Sequence, residues 1–175
     1  KAIARATKVI ESLDKGMATG VSAEQVNQYK GEAYFMIGFA YGELATYFGD
    51  AVINKGMTLE EAYEATRSPK NEVLAYAYEN LDKAADLLPA SYATQQRPTR
   101  GAALGFKARF ALCAGDWQTA ADAAAQVMNS GVYSLHDNYR ALFTADSSPE
   151  LMFYFKGDLS LKKGFGLFGG AQNYV

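Results

Sequence analysis

The sequence carries one histidine, His136, and one cysteine, Cys113, in 175 residues. A single cysteine excludes an internal disulfide and a cysteine-built metal cluster. A single histidine excludes a paired-histidine metal site and leaves no second base for a nucleophilic triad. A basic excess is lacking as well. Lys and Arg number 17 against 19 Asp and Glu, a net charge of -2, so there is no electrostatic case for nucleic acid, which needs a basic face. No apolar run approaches the roughly 20 residues of a membrane span. The greasiest stretch, 33–48, is interrupted by Glu43, Gly38 and Gly42 and reads as a buried helix.

What is present is an ordinary globular balance, 49% apolar and 21% charged, in a chain long enough for one domain with its own core. The chain begins at Lys1 without a signal-peptide pattern and stops at Val175 inside a glycine-rich stretch, so a piece of a longer polypeptide is expected.

Helical periodicity dominates. Ile3, Ala6, Val9, Ile10 and Leu13 share one face of a helix over 2–15, which Gly16 and Gly20 end. Ser22, with Gln25 three residues on, forms a capping-box signature for a second helix reaching Phe48. Its stripe is Tyr29, Ala33, Ile37, Ala40, Tyr41, Leu44 and Phe48. Gly31, Gly38 and Gly42 cost this helix propensity, a cost best explained by a neighbouring helix in close approach. Gly49-Asp50 stops it.

A connection over 51–70 holds one short helical piece near 59–65. Ser68 then caps, and Pro69 opens, a helix with Val73, Ala77, Leu81, Ala84 and Leu88 on one face. Pro89 ends it, and a polar loop follows. Thr99 caps a helix to Ala114 with Ala103, Phe106, Phe110 and Cys113 facing inward. Gly115-Asp116 breaks the chain before an alanine-rich helix over 117–129. Residues 151–155 form a short apolar-aromatic strand candidate.

The pair over 99–129 places Leu104, Ala108, Ala120, Ala124 and Val127 so that two antiparallel helices pack closely, at the spacing of a tetratricopeptide unit. The helices over 21–48 and 69–88 form a looser pair. Such units stack because neither buries its faces alone; an ordinary helical bundle is the competing architecture.

Three ordered segments carry a family resemblance. The first runs from Lys30 through Tyr41 to Tyr47-Phe48-Gly49-Asp50. The second holds Arg67-Ser68, Glu72-Val73 and the stretch from Asn80 to Pro89. The third runs from Arg100 through Ala108-Arg109, Asp116-Trp117, Gly131, Tyr133 and Leu142-Phe143 to the segment from Glu150 to Phe153. Together they resemble SusD/RagB proteins. One departure is Ala51-Val52-Ile53, where the family often places proline after the Tyr-Gly-Asp turn.

The resemblance implies an all-α fold: tetratricopeptide-like helical pairs stacked as a SusD-type α-solenoid, with a short strand and loop near the carboxy-terminal end. Residues 1–155 are the repeat region, and 156–175 begin a truncated remainder. It implies an outward-facing outer-membrane lipoprotein, held through an amino-terminal lipid anchor absent from this chain. Such a protein binds oligosaccharides, or peptides in the RagB branch, and passes them to a SusC-like TonB-dependent transporter without covalent chemistry, cofactor or metal. A tetratricopeptide-type adaptor for protein partners is the alternative. Long inserts over 51–67 and 156–175 favour the nutrient-capture reading, since a plain repeat array keeps connections short.

His136 reads as an exposed loop residue without the partners that orient a catalytic base. Cys113 reads as a small buried hydrophobe. Glu60 and Glu61 lie on a solvated segment, and no other feature supports the pair of carboxylates facing across a cleft that a glycosidase needs. Gly164, Gly166 and Gly169 fit the dinucleotide fingerprint in form only, because two lysines precede it where a strand is required. The same tail combines Phe165, Phe168 and Tyr174 with Gln172 and Asn173, flat faces for sugar C–H groups beside amides for hydroxyls, and these are the candidate ligand-binding residues. Trp117 suits a packed helix start better than a sugar platform. Tyr34, Tyr41, Tyr76 and Tyr78 lie at helical spacing as core or groove-lining residues.

Overall fold

A computed structural model describes residues 1–140 and 148–155. Helices α1 (Ala2–Asp14), α2 (Ala23–Phe48), α3 (Leu59–Glu64), α4 (Lys70–Leu87), α5 (Arg100–Ala114) and α6 (Trp117–Asn129) follow in chain order. Among the described residues there is no sheet, only an isolated antiparallel bridge between Ala51 and Ser68. No helix among them is long and apolar enough to cross a membrane.

The boundaries follow the caps. Gln25 N–H donates to Ser22 Oγ at 3.2 Å and Ser22 N–H donates to Gln25 Oε1 at 3.2 Å, closing the capping box of α2. Thr58 and Glu61 do the same for α3. At the other end of α2, Gly49 adopts φ 76°, a conformation that disfavours any residue with a Cβ. Ser68 does not cap α4 as expected. Its backbone pairs with that of Ala51, the cap position falls on Pro69, and Lys70 N–H donates instead to Asp50 Oδ1 at 2.8 Å. The Tyr-Phe-Gly-Asp turn therefore ends one helix and caps the next, across the insert of residues 51–69. Tyr41 pins that insert from inside: its hydroxyl accepts from Asn54 N–H at 2.7 Å and donates to Val52 O at 3.4 Å.

The core lies where α2 meets α4 and α5. The α4 stripe is buried throughout: Val73, Ala77, Leu81, Ala84 and Leu88. Burying its three larger aliphatic side chains, Val73, Leu81 and Leu88, contributes roughly 1.5–3 kcal/mol each. The glycines of α2 explain how close the helices come. A Cβ on Gly31 would meet Leu88 Cγ at 2.9 Å, and one on Gly38 would meet the Ala77 carbonyl oxygen at 2.9 Å. Gly31 opposite Leu88 and Gly38 opposite Leu81 make α2 and α4 antiparallel. Gly42 lies under the Phe110 ring of α5. Phe35 meets Phe106 at 5.7 Å between centroids, so α2 and α5 run in the same direction. α1 packs on α2, and α6 packs on α5 through Ala120 and Ala123. The tight α5–α6 turn uses Gly115 at φ 80° and Asp116 as cap for Thr119 N–H at 3.2 Å. Helix α2 thus packs with α4, and α5 with α6, the stacked helical pairs of an all-α repeat architecture.

Four expectations change. Cys113 is exposed rather than buried, because the inward face of α5 turns from Phe110 to Ala111. Trp117 is 67% exposed, since the one-residue cap at Asp116 leaves its ring outside the α5–α6 seam. Phe48 is 77% exposed, as the last residue of α2 before the Gly49 turn. Residues 151–155 form no strand among the described residues, and they are held instead by the loop between α4 and α5.

Candidate functional site

The polar loop over 89–99 and the returning segment over 148–155 are bound by one side chain. Gln95 Nε2 donates to Ser148 O and to Leu151 O, both at 2.7 Å. Its Oε1 accepts from Ser148 N–H at 3.3 Å, and its backbone oxygen accepts from Tyr154 N–H at 3.1 Å. Gln96 Nε2 adds a bond to the Tyr154 hydroxyl at 3.2 Å. The loop is itself fastened to α2. Arg97 Nε donates to Glu32 Oε1 at 2.7 Å, its Nη2 lies 2.6 Å from the same oxygen, and its guanidinium stacks over the Tyr92 ring at 4.2 Å. Burial raises the Tyr92 phenol above its ordinary pKa, a rise opposed by the Arg97 charge and reinforced by Glu32.

Held this way, 150–153 runs alongside α5 and leaves a cleft of about 270 Å³. Phe106, Met152 and Phe153 make its floor, Gly105 lets Met152 approach the α5 backbone, and Arg109 and Glu150 supply its charges. The floor is rigid: Phe153 packs edge-on against Phe35 at 5.2 Å and Phe155 at 4.8 Å, and Phe106 packs edge-on against Phe39 at 4.9 Å. The Arg109 guanidinium lies 5.9 Å from the Phe106 centroid and 3.8 Å from Glu43 Oε1, too far for a hydrogen bond. Glu150 Oε2 accepts from His136 N–H at 3.1 Å. A smaller cleft of about 150 Å³ is lined by Tyr92, Gln95 and Tyr133 and shares Leu151 and Met152 with the first. Tyr133 shares a 2.7 Å hydrogen bond with Thr99 Oγ1, and its ring occupies the space a side chain at Gly101 would need.

Phe165, Phe168, Gln172, Asn173 and Tyr174 lie outside the described residues. His136 sits in the expected loop, partly buried, its Nδ1 accepting from Asn138 N–H at 3.0 Å. Of the tyrosines, Tyr41 is fully buried, and Tyr34, Tyr76 and Tyr78 are half-buried. The Tyr78 hydroxyl is enclosed without a partner, and this burial, with Asp116 and Cys113 nearby, pushes its pKa up to about 12. Sequence reasoning placed Phe106 only in the core and gave Arg109 and Glu150 no role. The cleft depends on Gln95 meeting a segment 53 residues away, which no local pattern reveals.

The sequence and the helical stack are similar to those of known proteins. A SusD-like family model described as "Starch-binding associating with outer membrane" matches residues 1–112. A SusD-like protein of Formosa agariphila is 29% identical over 132 residues, 73% of this chain and 26% of its own length. A SusD-like carbohydrate binding protein from Bacteroides fragilis superposes with a TM-score of 0.74 at 27% identity, covering 86% of this chain and 31% of that one. Surface glycan-binding protein A from Bacteroides fluxus gives 0.68 at 25% identity, with 85% and 32% covered. A SusD superfamily protein from Bacteroides thetaiotaomicron gives 0.80 at 22% identity over 93% of this chain and 38% of its own, a likeness of fold alone. The chain spans about a quarter of the curated relative's length and about a third of these structures. With the family match covering well over half of its residues, and with the same helical stack, the chain belongs to the SusD-like family.

Proposed function

We propose that this chain is the helical scaffold of a cell-surface protein that binds oligosaccharides without covalent chemistry and delivers them to a SusC-like TonB-dependent barrel in the outer membrane. An amino-terminal lipid anchor would hold the protein there, facing outward. One observation carries the reading: the chain is a SusD-like family member whose helical stack matches a carbohydrate binding protein over 86% of its residues. In this reading residues 1–155 are scaffold. Residues 156–175 begin the ligand-facing remainder, with Phe165, Phe168 and Tyr174 stacking on sugar rings and Gln172 and Asn173 bonding their hydroxyls.

Two experiments on the complete polypeptide test this. Electrophoresis through gels cast with starch, laminarin or xylan should retard it in one of them. Purification from detergent-solubilised outer membranes should bring down a TonB-dependent barrel. Unretarded migration in all three gels, with binding to peptides instead, would move the protein to the peptide-capturing branch. Peptide binding with no barrel recovered would leave the adaptor role.

A further inference from the structure

The cleft between α5 and 150–153 has a composition that bare packing does not require. Its floor is apolar and immobilised by ring–ring contacts, while Arg109 and Glu150 stand in it with hydrogen-bonding capacity to spare. Arg109, half-exposed, makes no hydrogen bond among the described residues, and only one Glu150 oxygen is engaged, by His136 N–H. A guanidinium offers a fork of donors and a carboxylate offers only acceptors. The hydroxyls of a sugar ring, each both donor and acceptor, match both groups. The volume of about 270 Å³ falls just below the roughly 300 Å³ at which pockets for larger ligands begin, so it suits a single ring. Charge also selects. Among the described residues Glu150 is the one carboxylate lining the cleft and opposes a carboxylated sugar, while Glu43, 3.8 Å from the Arg109 guanidinium, offsets part of the charge that would attract one.

We propose that this cleft is a saccharide subsite for one neutral pyranose residue, its C–H face on Phe106, Met152 and Phe153 and two adjacent hydroxyls held between Arg109 and Glu150. The subsite rests on the glycan-binding reading above and is separate from the tail residues 165–174. It makes the scaffold itself a contributor to affinity.

The test is calorimetric titration of the complete polypeptide with maltohexaose, laminarihexaose and xylohexaose, using wild type, Arg109→Ala and Glu150→Gln. Each substitution should weaken the best-bound hexasaccharide about tenfold, the size of a lost charge-assisted hydrogen bond. Melting should stay within a few degrees, because the Glu43 ion pair is long and half-exposed, and glutamine at 150 can still accept from His136. Wild-type affinity in both variants overturns the subsite and leaves glycan capture standing. A wild-type protein that binds none of the three sugars overturns both. If Arg109→Ala lowers melting, Arg109→Lys keeps the ion pair but not the fork, and wild-type affinity in that variant overturns the subsite as well.

Discussion

Replacing Gly42 with alanine should destabilise the fold, although alanine is the better helix former. In an exposed helix the change would gain about 1 kcal/mol. Here the new Cβ would fall well inside 3.0 Å of three Phe110 ring carbons. That ring is 1% exposed and cannot swing away, because Phe39 and Phe106 flank it at 6.4 and 5.9 Å. Overpacking of this kind costs about 1–3 kcal/mol and more where a rigid group is struck. Taking the upper end and subtracting the propensity gain leaves a net loss of about 2 kcal/mol. Gly31→Ala is the internal comparison. Its Cβ meets Leu88 Cγ at 2.9 Å, the branch of a flexible side chain, so the loss should be about half as large. Urea unfolding of both variants gives the difference. A cycle with Phe110→Ala gives the cause: that change alone should cost about 3–5 kcal/mol, and adding Gly42→Ala should then restore part of it. A neutral Gly42→Ala, or strictly additive losses in the cycle, would refute close approach as the reason for glycine at this position.

Gln95→Ala should release 148–151 from the loop over 89–99, speeding amide exchange at Ser148 by about tenfold or more while exchange in α4 stays unchanged. Asp50→Ala removes the acceptor for Lys70 N–H and should cost about 1 kcal/mol, seen as fraying of the first turn of α4 in amide exchange. Tyr78→Phe deletes a buried hydroxyl without a partner and should be neutral or slightly stabilising at pH 7 by chemical denaturation. Because the folded-state phenol titrates near 12 and the unfolded one near its ordinary value of 10.0, Tyr78 adds no pH-dependent cost to folding below pH 10. Stability falls as pH rises from 10 through about 12, where only the unfolded phenol ionises freely, so the Phe variant should show a shallower alkaline decline across this window.

Local chemistry made most of the helices legible. Capping residues at Ser22, Thr99 and Asp116 and glycines at 49 and 115 carry their signals within a few positions, and each marks a boundary the structure keeps. The stripe of α4 was readable because all five residues are buried where α4 packs against α2 and α5. The exposure of Cys113, Trp117 and Phe48 was not, because helical spacing says which residues share a face but not where the neighbour ends. The Asp50 cap escaped notice for a related reason: Ser68 is the nearer candidate in sequence, and only the fold brings Asp50 to Lys70 N–H from 20 positions away. The cleft was the least legible feature. Its walls come from α5 and a segment about 45 residues further on, joined through a loop glutamine whose type has no directional signature. The tail residues singled out for ligand binding, Phe165 to Tyr174, lie outside the described residues, so the structure places none of them beside the cleft or apart from it.

Calorimetric titration of the complete, purified polypeptide against a panel of neutral oligosaccharides, with peptides alongside, tests glycan capture most directly. Saturable binding to one glycan class at micromolar affinity, about -8 kcal/mol, is the expected result. Binding to peptides alone, or to no member of the panel, would contradict it.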